Sequence, residues 1–95
     1  MPSSRERTAG AASAITVRCR LFGRYAEVFG VSEVGVSLAP GATVADAIAE
    51  LRRRPGGEGL LPPRPLAAVN HWHVALDAPL ADGDELAVLP PLAGG

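Results

Sequence analysis

The sequence contains no lysine, and all nine of its basic residues are arginine. Without a lysine ammonium, no side chain can form a Schiff base or accept an isopeptide bond. The arginines are balanced by ten acidic residues, which gives a formal net charge of -1. Such near-neutrality argues against nucleic acid or an anionic membrane as the main partner.

Cysteine is almost absent, since Cys19 is the only one. A single thiol excludes a scaffold stapled by internal disulfides and is compatible with a reducing cytosol, so we expect a cytoplasmic protein. Cys19 falls on the apolar face of the first predicted strand, where a buried, unreactive thiol is expected. No apolar run approaches the roughly 20 residues that a membrane span needs.

The length of 95 residues fits one domain, and a hydrophobic content of 47% is enough for a core. Residues 1–14 are rich in serine, alanine and arginine and contain only a weak apolar stretch. That stretch is too polar for a signal peptide, so we expect a disordered leader. The domain itself is predicted over residues 15–89, followed by a flexible tail over residues 90–95.

Alternating apolar and polar residues predict two strands in the first half of the chain. One strand covers residues 15–21, and the other is centred on Val34, Val36 and Leu38. A short helical turn over residues 24–29, closed by Gly30, connects them. The two strands are therefore expected to pair as a hairpin with a long, partly helical connection.

The main helix is predicted to begin after Thr43, which makes a capping-box pattern with Asp46. A loop rich in proline and glycine is expected over residues 55–65, where the helix ends. The apolar residues of the helix recur at helical spacing, at Val44, Ala47, Ile48 and Leu51.

The second half of the chain predicts further strands. A third strand is expected over residues 66–71, with residues 72–76 continuing it or pairing nearby. A last strand over residues 85–89 follows a tight turn at residues 82–84. This order predicts an α+β fold, a mixed sheet of about five strands with one main helix packed across it. This is the β-grasp, or ubiquitin-like, arrangement, in which the first and last strands lie side by side.

Few side chains suggest a conventional catalytic site. His71 and His73 share one face of the predicted third strand and its continuation and could form a metal pair, but no further ligand lies nearby, so we expect surface histidines and no metal. The carboxylates of Asp82 and Asp84 need no bound cation to account for them, because aspartate and glycine are favoured in tight turns. No nucleophile, base and acid combine into a hydrolytic triad. Trp72 could belong to the core or contact a partner.

The last two residues, Gly94 and Gly95, offer a different chemistry. A terminal carboxylate is a poor electrophile, but its mixed anhydride with AMP is open to attack by a sulfur, oxygen or nitrogen nucleophile. Glycine leaves the acyl carbon unshielded and lets the backbone pass through a narrow channel. Six extended residues from Pro90 reach at most roughly 20 Å, enough to enter another protein's pocket. The alternative is a frayed glycine tail without a function.

Several short motifs occur in a fixed order along the chain. They are LFG at residues 21–23, PGATV at 40–44, LAAVN at 66–70, PLADGDELA at 79–87, LPP at 89–91 and GG at 94–95. In this order and spacing, the chain resembles the ubiquitin-like sulfur carriers, and most closely the small subunit of molybdopterin synthase. The resemblance covers residues 15–95.

The resemblance implies a chemistry for the terminus. Gly95 would be adenylated by an ATP-dependent, ubiquitin-activating-like adenylyltransferase and converted to a thiocarboxylate by a sulfurtransferase. Gly94 and Ala93 would thread into the active site of the synthase large subunit, where sulfur passes to cyclic pyranopterin monophosphate. The two subunits would form a heterotetramer. The chain itself would bind no cofactor and supply no catalytic side chain.

Partner contacts are expected at apolar residues near the tail and on the adjoining surface. The candidates are Leu92, Pro91, Leu89, Leu80 and Trp72.

Other functions remain open. A carrier for thiamine, cysteine or thiolated-RNA synthesis would have the same tail and another sulfur acceptor. A ubiquitin-like modifier would instead use Gly95 to acylate a lysine of a target protein. A plain interaction module would have an inert tail. The Pro90-Pro91 exit and the LAAVN strand favour molybdopterin synthesis over the other carrier pathways.

Overall fold

The computed structural model describes residues 14–62 and 64–90 of the chain. Apart from Ala14 and Pro90, the predicted leader and tail lie outside the described residues. The elements follow one another as β1 (Ile15–Leu21), α1 (Arg24–Phe29), β2 (Glu33–Leu38), α2 (Val44–Arg52), α3 (Gly57–Leu60), β3 (Leu66–Val69), β4 (Trp72–His73) and β5 (Glu85–Leu89).

The strands of the described residues form one mixed sheet in the order β2-β1-β5-β3-β4. β1 is antiparallel to β2 and parallel to β5, and β3 is antiparallel to both β5 and β4. The first and last strands therefore lie side by side, as the sequence predicts. The hairpin of β1 and β2 is also confirmed, with α1 in its connection. The whole is the predicted β-grasp fold.

Helix α2 covers one face of this sheet and begins with the predicted capping box. The Thr43 amide donates to Asp46 Oδ2 at 2.8 Å, and the Asp46 amide donates to Thr43 Oγ1 at 3.3 Å. These bonds satisfy two backbone donors that a helix start leaves unpaired. The apolar stripe of the helix is buried against β1, β2 and β5, where each large side chain contributes about 1.5–3 kcal/mol. Its members are Val44, Ala47, Ile48 and Leu51.

The prediction of a third strand over residues 66–71 is wrong at its end. β3 stops at Val69, and Asn70 and His71 form a two-residue turn with φ values of 50° and 77°. Two positive φ values are the geometry of a tight hairpin turn that usually contains glycine. The Asn70 side chain stabilises it, because its amide donates to Asp84 Oδ1 at 3.0 Å and its carbonyl accepts the Glu85 amide at 3.0 Å.

The expected loop over residues 55–65 contains a single helical turn, α3. Its proximity to α2 leaves no room for a side chain at Gly57, since a Cβ there would collide with the Leu51 carbonyl oxygen. The segment that follows is attached to α2 by the Arg52 Nε, which donates to the Leu61 carbonyl at 2.9 Å. The content of proline and glycine predicts an irregular segment. It does not reveal the contacts with α2 that favour a helical turn here.

The acidic turn is confirmed and has a structural role. The Asp82 carboxylate accepts the Thr16 amide at 2.8 Å, and the Gly83 amide donates to the Thr16 carbonyl at 2.8 Å. The turn therefore holds the start of β5 against the start of β1. Among the described residues, no helix is long and apolar enough to cross a membrane.

The contact at Gly57 predicts a steric cost that its neighbour in the same turn does not share. We expect Gly57→Ala to lower the free energy of unfolding by about 1–3 kcal/mol, because backbone atoms of α2 must move. Gly59 has open space where a Cβ would stand, so Gly59→Ala should be neutral or stabilise by up to about 1 kcal/mol. Urea unfolding of both variants measures the difference, and equal stabilities would contradict the packing described for α3.

Candidate functional site

The chain leaves the sheet at the end of β5, between the ends of two neighbouring strands. The parallel register pairs Leu21 with Val88, which brings Phe22 beside Leu89. On the other side, the antiparallel register pairs Leu66 with Leu89 directly. The residues that follow β5 therefore start from a position flanked by Phe22 and Leu66.

These three residues form an apolar surface on the face of the sheet opposite α2. Phe22 is 38% exposed and Leu66 is 50% exposed, while Leu89 is half-buried between them. Behind them, Ala68 pairs with Ala87, so the adjoining surface is made of small side chains. Exposed apolar side chains that cluster in this way are typical of a protein–protein contact. We name Phe22, Leu66 and Leu89 the exit patch.

Gly23 redirects the backbone beside the exit patch, close to the point where the chain leaves the sheet. Its φ of 54° and ψ of -128° turn the backbone from β1 into α1, a conformation that side chains disfavour. The space of its missing Cβ lies 3.6 Å from the Pro90 Cγ. Pro90 in turn lines a groove of about 410 Å³ with Arg24, Tyr25 and Leu60, among others.

Two arginines of β1 border the exit patch on the same face. The Arg20 Nη1 lies 3.1 Å from Glu85 Oε2, and the Arg18 Nη2 lies 4.0 Å from Glu85 Oε1. The Arg20 guanidinium also lies over the Phe22 ring, 5.5 Å from its centroid. The apolar surface is therefore continuous with a cationic one.

The structure separates the residues predicted to bind a partner. Leu89 belongs to the exit patch, and Trp72 is 76% exposed on the edge strand β4, away from that patch. Leu80 does not fit the prediction, because it is only 5% exposed and packs in the core. Pro91 and Leu92 lie outside the described residues, as do the other predicted tail residues, Ala93, Gly94 and Gly95.

Phe22 and Leu66 were not predicted, although the sequence contains a signal for Phe22. Phe22 continues the outward phase of Thr16, Arg18 and Arg20, so strand alternation assigns it to the exposed face. Leu66 requires the register between β3 and β5, which strand alternation does not specify.

The two histidines do not share one face of a strand, as the sequence predicted. His71 lies in the hairpin turn, and only His73 belongs to β4. Residues 14–62 and 64–90 contain no cluster of three or more potential ligands that could hold a metal ion. Cys19 is fully buried as predicted, and burial raises the pKa of its thiol to about 12, against a smaller lowering by Arg54.

The sheet order β2-β1-β5-β3-β4 with one main helix packed across it defines a ubiquitin-like β-grasp domain, and its last strand directs the chain out beside an exposed apolar patch. The profile of the ThiS family matches residues 19–95. The chain belongs to the ThiS family.

Individual relatives agree with this assignment. SAMP1, the small archaeal modifier protein 1 of Haloferax volcanii, is 35% identical, and the match covers 84% of this chain and 99% of that one with a TM-score of 0.67. A structure of subunits 1 and 2 of the molybdopterin-converting factor from Helicobacter pylori 26695 in complex contains a chain that is 26% identical. The match covers 85% of this chain and 100% of that one, with a TM-score of 0.60.

A shorter match links the chain to a sulfur carrier. Thirty residues are 60% identical to the molybdopterin synthase sulfur carrier subunit of Escherichia coli (strain K12). This stretch spans 32% of the present chain and 37% of that protein.

The buried thiol predicts that Cys19 resists alkylation in the folded protein. At about pH 8 almost none of a thiol with a pKa near 12 is ionised, and the side chain is inaccessible. We expect iodoacetamide to leave Cys19 unmodified in the native protein and to modify it in urea, as measured by peptide mass spectrometry. Modification at the same rate in both conditions would contradict the burial of Cys19.

Proposed function

We propose that this chain is the sulfur carrier subunit of a molybdopterin synthase, with Gly95 as the residue that bears the sulfur. The observation that carries the proposal is the family match, which extends from β1 to residue 95 and so includes the diglycine. The similarity to the sulfur carrier subunit of Escherichia coli supports the choice of pathway.

The chemistry follows from the properties of a carboxylate. A carboxylate oxygen of Gly95 attacks the α-phosphorus of ATP on an adenylyltransferase, and pyrophosphate leaves. The persulfide of a sulfurtransferase then displaces AMP from the acyl carbon and forms an acyl disulfide. A second thiol cleaves this S–S bond, which releases the thiocarboxylate and leaves a disulfide between that thiol and the sulfurtransferase. This group is a nucleophile mounted on a protein, and positioning alone can accelerate its reaction strongly. Its acceptor in the proposed pathway is cyclic pyranopterin monophosphate.

The described residues serve this chemistry by docking. The exit patch, Phe22, Leu66 and Leu89, would be the surface that binds the synthase large subunit. The Helicobacter pylori complex of subunits 1 and 2 of the molybdopterin-converting factor supports a partner of this kind. Five extended residues beyond Pro90 span roughly 17 Å. A partner seated on the exit patch would therefore have Gly95 within reach of an internal active site. The large subunit would supply the catalytic side chains.

A second candidate function is protein modification, which the 35% identity to SAMP1 of Haloferax volcanii favours. In that case Gly95 would be joined to a lysine of a target protein. Since this chain has no lysine, it could not be extended into chains through its own side chains. Conjugates of higher mass in extracts of the host cell would support this function, and a thiocarboxylate as the sole product would oppose it.

The sulfur carrier proposal predicts a mass change at the last residue. After incubation with ATP, the cognate activating enzyme and a sulfur source, we expect the untagged chain to be heavier by the difference between a sulfur and an oxygen atom. Fragmentation should place this change on Gly95. Intact-mass spectrometry of a Cys19→Ser variant excludes sulfur on the thiol.

A chain that lacks Gly94 and Gly95 is the control for this experiment and should keep its mass. An unchanged mass of the full-length chain under the same conditions would overturn the carrier proposal and favour an inert tail.

The docking role predicts that a charge in the exit patch disrupts the complex. We expect Leu66→Asp to weaken affinity for the synthase large subunit about tenfold or more, because a carboxylate would be buried without a partner. Val28→Asp is the matched control, since Val28 is 51% exposed on α1 and adjoins Gly56 instead of the exit patch. Calorimetry measures both, and equal losses would show that the exit patch is not the interface.

A further inference from the structure

A row of outward-facing residues crosses the sheet directly beside the exit patch. The registers of four strand pairs define it as Glu33 on β2, Arg20 on β1, Ala87 on β5, Ala68 on β3 and His73 on β4. Its centre is made of two alanines that adjoin Leu89 and Leu66. Arg20 stands beside these two alanines, of which Ala68 is buried, and its side chain is 44% exposed.

The Arg20 guanidinium is held in place, but the described part of the chain occupies few of its hydrogen-bond donors. A single hydrogen bond, from Nη1 to Glu85 Oε2 at 3.1 Å, links it to the residues that the structure describes. Glu33 is its neighbour on β2 but forms no ion pair with it within residues 14–62 and 64–90. A guanidinium has five N–H donors, so residues 14–62 and 64–90 provide an acceptor for only one of the five donors of Arg20.

The carboxylate that faces Arg20 is shared. Glu85 is also 4.0 Å from Arg18, and its side chain is only 17% exposed, whereas the Arg18 side chain is 52% exposed. Two exposed arginines therefore share one mostly buried carboxylate, that of Glu85. Contact with the Phe22 ring at 5.5 Å keeps the Arg20 guanidinium next to the exit patch.

A partner that covers the exit patch would also remove water from Arg20. A charged donor that loses water without a new acceptor is costly, while a carboxylate in the partner would satisfy two donors at once. We propose that the synthase large subunit presents a carboxylate to the Arg20 guanidinium, so that Arg20 selects this partner by charge. The inference rests on the proposed function and adds the chemistry of the partner surface to it.

The test is the affinity of the full chain for the large subunit encoded in the same genome. We expect Arg20→Gln to weaken binding about tenfold at low salt, and the difference to shrink at high salt because ion pairs at an interface rim are screened. Arg53→Gln is the matched control. Arg53 is also an exposed arginine paired with a glutamate, Glu50, at 2.7 Å, but it caps the C-terminal end of α2, across the sheet. The Arg53→Gln variant should bind the large subunit with the affinity of the wild type.

A second variant separates docking from a structural role of the ion pair. Glu85→Gln also breaks the pair with Arg20 but leaves the guanidinium available to the partner. If Arg20 acts through docking, Glu85→Gln should keep wild-type affinity or exceed it. If the pair only holds the sheet together, both variants should weaken binding alike, and the proposal would be overturned. Thermal unfolding of each variant confirms that the fold is retained.

The outcomes distinguish this inference from the proposed function. A wild-type chain that binds the large subunit, together with an Arg20→Gln variant of equal affinity, would overturn the inference alone. A loss of affinity only toward the activating enzyme would overturn the choice of partner. A wild-type chain that neither binds the large subunit nor forms the thiocarboxylate would overturn both proposals.

Discussion

The parallel pairing of β1 with β5 is the constraint on which the rest of the molecule depends. It brings the last strand to the centre of the sheet, so both of its edges are hydrogen-bonded, and its core-facing residues, Leu86 and Val88, are fully buried. The Asp82 carboxylate and the Gly83 amide fix the start of this pairing on Thr16. A strand held along its whole length presents the chain that follows it at a defined point.

The two faces of the sheet are used differently. One face is closed by α2 and forms a core in which the described residues include no buried polar or charged residue. No helix of the described residues packs on the other face, yet this face is apolar where β1 and β5 end and β3 begins. Exposure of these apolar side chains to water is unfavourable in an isolated domain. Binding of a partner that covers them is therefore favoured by their burial. The carrier function proposed for the chain would need this arrangement, because its reactive group would be Gly95 and its catalysts would belong to other proteins.

Much of the fold follows from local patterns. The alternation in β1, the capping box of Thr43 and Asp46 and the helical stripe of α2 each depend on residues close in sequence. The errors arise where contacts over a longer range decide. The turn at Asn70 and His71 depends on bonds to Asp84 and Glu85, and α3 depends on a glycine beneath α2. Local propensity cannot report either contact.

The sequence by itself determined the β-grasp order of elements, the buried thiol of Cys19 and the diglycine at residues 94–95, because periodicity, residue type and position carry this information directly. Only the tertiary structure decided which apolar residues form a surface. Leu80 and Leu89 look alike in sequence, but one packs in the core and the other lies beside Phe22 and Leu66. Leu80 lies in the segment before β5, where its amide donates to the Ala42 carbonyl just before α2, whereas strand register places Leu89 beside Leu66. Both are contacts between distant parts of the chain, and no single strand or loop specifies them.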